Sequence, residues 1–124
     1  MVAKAQLNYT FSEGIPVFQG GRELALPFAG GFVAPQFSSV DLNNDNLDDL
    51  FVFDRASGKI STFIYQDGEY IYAPQYEDAF PKGMESWVLL RDFNCDGKPD
   101  IFTSSLFGMS LFENTSTAGE LSWE

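Results

Sequence analysis

Asp41, Asn43, Asp45 and Asp49 stand at the first, third, fifth and ninth places of one short stretch, and Asp92, Asn94, Asp96 and Asp100 repeat the set 51 residues later. A hard cation needs this spacing, because alternate residues of a tight loop turn inward and bring several oxygens onto one point. The backbone carbonyl of the seventh place, Leu47 or Lys98, would supply a further oxygen, with water completing the shell. Three carboxylates per loop suit a divalent ion, and calcium is the expected one, at two sites.

The sixth place must turn sharply. It is Gly97 in the second loop, where positive φ costs nothing, and Asn46 in the first, the side-chain-bearing type that best tolerates a left-handed backbone. An EF-hand also begins with acidic residues at alternate places, but it closes its cage with a bidentate Glu at the twelfth place between two helices. Here the twelfth places are Val52 and Thr103. Each loop runs into apolar, aromatic and β-branched residues, Leu50-Phe51-Val52-Phe53 or Ile101-Phe102-Thr103, which favour a strand. The EF-hand is set aside. Solvated turns decorated with Asp and Asn are the simpler alternative, and two copies with every ligand place filled weigh against it.

A chain of 124 residues allows one domain with a true core. Thirteen Phe supply apolar area, so disorder is not expected. The formal net charge of -11 repels phosphates and anionic surfaces, which disfavours nucleic acid and membrane partners. No segment approaches the ~20 apolar residues of a membrane span. His is absent, which removes the commonest general base and transition-metal ligand. Cys95 is the only cysteine, so it has no intramolecular partner, and carboxylates beside it disfavour a thiolate. It reads as a small loop residue.

At the amino terminus Ala3 and Ala5 match the end of a signal peptide, without the apolar stretch that should precede them. Leu7–Phe11 alternates like a strand, Gly20-Gly21 marks a hairpin turn, and 23–28 is the expected return strand. The Gly-rich connection 29–35 lacks the pattern of a phosphate-binding loop. Strands are then expected over 36–40, 50–53, 59–65 and 69–72, with Asp67-Gly68 as a hairpin turn. A second series follows over 87–91, 101–104, 109–113 and 120–123. Ile60-Ser61-Thr62-Phe63 answers Met109-Ser110-Leu111-Phe112, and Tyr70-Ile71-Tyr72 answers Leu121-Ser122-Trp123. No stretch has helical periodicity.

Four strands per ~50-residue repeat is the signature of propeller blades. The fold class expected is all-β: a β-propeller fragment of about two four-stranded blades plus an N-terminal hairpin. Its parts are an N-terminal segment over 1–29, a first blade over 30–80 and a second over 81–124. Phe37 to Val52, with its acidic loop and second copy, resembles the FG-GAP or VCBS repeat of integrin-type β-propellers. The resemblance covers roughly Gly30 to Glu124. It implies that the loop joins the first two strands of a blade and binds calcium through the eight side chains named above. Asn46 in place of the usual Gly departs from the family pattern. The run from Gln6 to Leu50 is also similar to the mature amino terminus of large secreted VCBS-repeat proteins of Bacteroidetes-type bacteria.

The function expected is a calcium-binding, secreted or cell-surface module with a structural and binding role. Extracellular calcium sites bind in the ~10⁻⁴ to 10⁻³ M range and stay largely empty in cytosol. Tyr65, Tyr70, Tyr72, Tyr76 and Trp87 are candidate contacts for a glycan or protein ligand, against the simpler role of strand aromatics as core. An enzyme is the less favoured class. Glu69, Glu77, Asp78 and Glu85 are the carboxylates outside the loops that lie nearest aromatics, and nothing in their spacing fixes a geometry. A third class is a part that supplies blades to a larger propeller or self-associates. Two blades leave outer faces open, and Phe51, Phe53, Phe63, Phe102 and Phe112 are expected to load them.

Overall fold

The computed structural model describes residues 15–24, 26–118 and 120–124. The expected strand Leu7–Phe11 and the pair Ala3 and Ala5 lie outside the described residues. The chain divides into two compact units, Met1–Gly30 and Gly31–Glu124.

In the first unit β1 (Phe18–Gln19) pairs antiparallel with β2 (Arg22–Glu23). Gly20 and Gly21 turn the chain at φ 61° and 81°, left-handed values that glycine adopts without strain. The return strand is shorter than the pattern predicts. Pro27 has no N–H to give a ladder, and the Ala29 N–H bonds the Leu26 carbonyl in a turn at 3.4 Å.

The second unit carries two antiparallel meanders. The first runs β3 (Pro35–Val40), β4 (Asp49–Asp54), β5 (Lys59–Gln66) and β6 (Glu69–Tyr72), in that spatial order. The second runs β7 (Glu85–Arg91), β8 (Asp100–Ser105) and β9 (Gly108–Phe112). Its fourth member is a bridged segment, with Asn114 facing Trp123 and Thr117 facing Glu120. In the first blade Phe63 faces Tyr72 and Gln66 faces Glu69, the same pairs moved by 51 residues. The expected strand 120–123 therefore pairs with 113–117, the continuation of β9.

The repeat shifts between these ends. Leu50 faces Phe63 and Ile101 faces Phe112, an offset of 49 on the third strand. The cause is the connection before it: Asp54 faces Lys59 across four residues, whereas Ser105 faces Gly108 across two. A longer terminal hairpin restores the original offset.

A 3-10 helix over Pro74–Ala79 joins the blades, where no helix is expected. Six residues are too few to show a period, and Pro74 presets the φ of its first turn.

The core fills the seam between the sheets. Val40, Leu42, Phe51 and Phe53 pack with Phe80, Met84, Val88, Leu90 and Ile101, all buried. Phe51 and Phe53, expected on open blade faces, are fully buried here. Alternation explains it, because Phe51 and Phe53 share one face of β4 and that face meets the second blade. The Phe51 and Phe80 rings lie 4.6 Å apart, and Phe80 stacks on Trp123 at 5.4 Å. On the other side of the second blade Leu89, Met109 and Leu111 are exposed, and Phe93 meets Phe102 edge-on.

Candidate functional site

Each acidic loop joins the first two strands of its blade: β3 to β4, and β7 to β8. The two loops share most of their internal bonds, and the second adds one from the Cys95 N–H to Asp92 Oδ1 at 2.7 Å. Asp41 Oδ1 accepts from the Asp45 N–H at 3.1 Å and its Oδ2 from the Asn46 N–H at 2.9 Å. Asp92 Oδ1 accepts from Asp96 at 3.2 Å and its Oδ2 from Gly97 at 3.0 Å. The fifth-place carboxylate bonds the seventh-place N–H, Asp45 to Leu47 and Asp96 to Lys98, both at 2.8 Å. Short side chains thus fold the backbone around themselves, a habit of Asp and Asn in turns.

The sixth places turn as their types predict, Asn46 at φ 65° and Gly97 at φ 89°. A second left-handed residue in each loop escaped the sequence reading: Asn44 at 60° and Cys95 at 64°. Asn44 is a type that tolerates this; Cys95 carries no such signal.

The ninth-place carboxylates are buried and tie each loop to its own sheet. Asp49 accepts from Leu42 at 2.9 Å and from Tyr65 of β5 at 2.8 Å. Asp100 accepts from Phe93 at 2.7 Å and from Asn114 at 2.8 Å. Burial pushes the Asp49 carboxyl above its ordinary range, the Tyr65 and Leu42 N–H groups pull it back, and the charges of Asp45 and Asp41 push it up further.

Among the described residues, no three Asp, Glu, His or Cys side chains are gathered closely enough to hold a metal ion as placed. The carboxylates bond loop N–H groups instead. The donor set still suits a hard cation, since each loop offers three carboxylates, an amide oxygen and a seventh-place carbonyl, and every carboxylate oxygen but one keeps a second lone pair, the exception being Asp92 Oδ1, which accepts from both Cys95 and Asp96.

Other named residues scatter. Tyr72 is buried and Tyr76 packs on the core, while Tyr65 and Tyr70 are half-exposed and touch each other at 5.2 Å. Trp87 is half-buried on β7. Glu69 sits on β6, Glu77 and Asp78 on the 3-10 helix and Glu85 at the start of β7. Asp78 pairs with Lys82 at 2.7 Å, so it is spent on an ion pair. A groove of about 570 Å³ between β3 and β7 is lined by Phe37, Ser38, Ser39, Leu89 and Arg91, and it reaches Asp48 and Asp92.

Two structural residues had no sequence signal. Asp54 accepts from the N–H groups of Val33 at 2.9 Å, Ala34 at 3.1 Å and Ala56 at 3.0 Å. Glu113 accepts from the Asn94 side chain at 3.0 Å.

No curated protein and no solved structure matches this chain. The model of the FG-GAP-like repeat matches residues 41–103, a span that begins at the first acidic loop and takes in the second. The repeated loop between first and second strands, the meander that follows it and this match agree: the chain belongs to the FG-GAP-like repeat family.

Proposed function

We propose that this chain is a calcium-binding extracellular propeller module whose role is structural and recognitive rather than catalytic. The observation that carries the reading is the equivalence of the two loops, which repeat the same carboxylate-to-backbone bonds at the same places. Asp41, Asn43, Asp45 and Asp49 with the Leu47 carbonyl would hold one ion. Asp92, Asn94, Asp96 and Asp100 with the Lys98 carbonyl would hold the other. A bound ion supplies positive charge that offsets repulsion among the carboxylates and locks the loop to its sheet. Export fits this chemistry, because modules of this affinity fill at extracellular calcium. A glycan or protein ligand would use the groove between β3 and β7.

Calorimetric titration of the full chain with calcium chloride tests the reading. Two bound ions are expected, and binding of neither would overturn it.

A second reading is that the chain supplies blades to a larger propeller or associates with its own copies. The exposure of Leu89, Met109 and Leu111 on one face of the second blade favours it. Size measured against concentration separates the two.

A further inference from the structure

The third-place asparagines differ between the loops in one bond. In both, the side-chain oxygen accepts from the fifth-place N–H, Asn43 from Asp45 and Asn94 from Asp96, each at 3.0 Å. Their amide nitrogens then part. Asn43 Nδ2 donates to Asp45 Oδ2 at 2.8 Å, so one oxygen of that carboxylate is covered by the amide and the other accepts from Leu47. Asn94 Nδ2 reaches out of its loop to Glu113 Oε1, 19 residues on, at 3.0 Å. Asp96 Oδ2 is thereby left clear of Asn94.

We infer that Glu113 is a positioning residue for the second loop, holding the Asn94 amide outward so that Asp96 presents a free oxygen to a cation. The inference rests on the calcium reading above and goes beyond it. Strand register shows why only one loop has this partner. Phe112 faces Ile101 as Phe63 faces Leu50, so the residue after it, Glu113, takes the place of Ile64. Ile64 is apolar and packs against the core. It offers the first loop no acceptor. Glu113 is itself well placed to serve, because its backbone exchanges two hydrogen bonds with Glu124, at 2.7 and 3.0 Å, while its side chain is exposed. A loop whose donors are already aimed binds more tightly than one that must first turn an amide away. Loss of such an outer partner typically costs 10- to 100-fold in metal affinity.

Calcium titration of the full chain carrying Asp45→Ala isolates the second loop. In that background Glu113→Leu is expected to weaken calcium binding by about tenfold or more. Glu113→Gln keeps an acceptor oxygen and is expected to stay within about threefold of the parent. Thermal unfolding in EDTA checks that all three chains fold alike. Equal affinity in Glu113→Leu and the parent overturns the inference, as does an equal loss in Leu and Gln, which would assign the effect to charge alone. A second loop that binds nothing while the first binds also overturns it. No binding in the unmutated chain removes the calcium reading itself.

Discussion

The backbone N–H of Val88 donates to Oε1 of Gln36 at 3.0 Å, across the seam between the two blades. Val88 is paired with Thr103 on β8, and because β7 is the edge strand of its sheet an N–H that faces away from β8 needs another acceptor, which the glutamine supplies. Beside it the β7–β8 ladder carries a bulge between Glu85 and Val88, where Ser86 stands at φ 60°. Arg55 Nε holds the same bulge through the Ser86 carbonyl at 2.8 Å. Gln36→Leu should therefore destabilise the fold by about 1–3 kcal/mol, the cost of an unmatched N–H. Gln36→Glu, which keeps an acceptor, should cost less. Urea denaturation checks the order, and a harmless Gln36→Leu would show that the bond does not hold the blades.

Calcium should stabilise the chain through binding confined to the folded state. At a hundredfold excess over Kd the gain is about 2.7 kcal/mol per site. Melting is expected to fall in EDTA, and Asp45→Ala or Asp96→Ala should lower the calcium-loaded melting temperature more than Glu69→Ala does. An unchanged melting temperature in excess EDTA removes the claim.

The second loop should bind more tightly than the first. Asn46 holds φ 65° where Gly97 holds 89°, and a side chain there costs up to ~1 kcal/mol. Asn46→Gly is expected to narrow the gap between the two stepwise affinities. A first site that is already the tighter one contradicts the ranking.

Acid should reach Asp54 in a definite direction. Its bond from the Val33 N–H, followed by those from Ala56 and Ala34, holds the carboxyl below its ordinary range despite burial. A carboxyl lowered in the folded state contributes stability above the unfolded value of about 3.9, and this is lost as pH falls through the folded value. Asp54→Asn should lower stability near neutrality and flatten the decline below about pH 4. Unfolding midpoints of both chains from pH 7 to 2.5 provide the comparison; parallel curves would exclude the role.

Light scattering in millimolar calcium should show growth in size with concentration, driven by the exposed row of Leu89, Met109 and Leu111. Leu89→Lys should suppress it. A monomer at every concentration, with no binding of an apolar-surface dye, argues that the second blade needs no cover.

Much of this protein was legible in its residues because the informative spacing is local. Places one, three, five and six of a loop lie within a few residues, so Asp and Asn types fix the bonds among them without help from distant chain, whereas the ninth-place carboxylates also draw on Tyr65 and Asn114. Strand positions followed equally from alternation, and the likeness of 60–63 to 109–112 holds in the register. What crosses the seam was not legible. Alternation puts Phe51 and Phe53 on one face of β4, yet only the packing of β7 and β8 against that face decided that it is core. Asp54, Gln36 and Glu113 are ordinary polar residues in sequence. Their partners lie 21, 52 and 19 residues away, separations set by strand pairing within a blade for Asp54 and Glu113 and by the seam between blades for Gln36, not by any local period. The loop's chemistry belongs to the sequence; which loop receives an outer carboxylate was decided by the register of a strand.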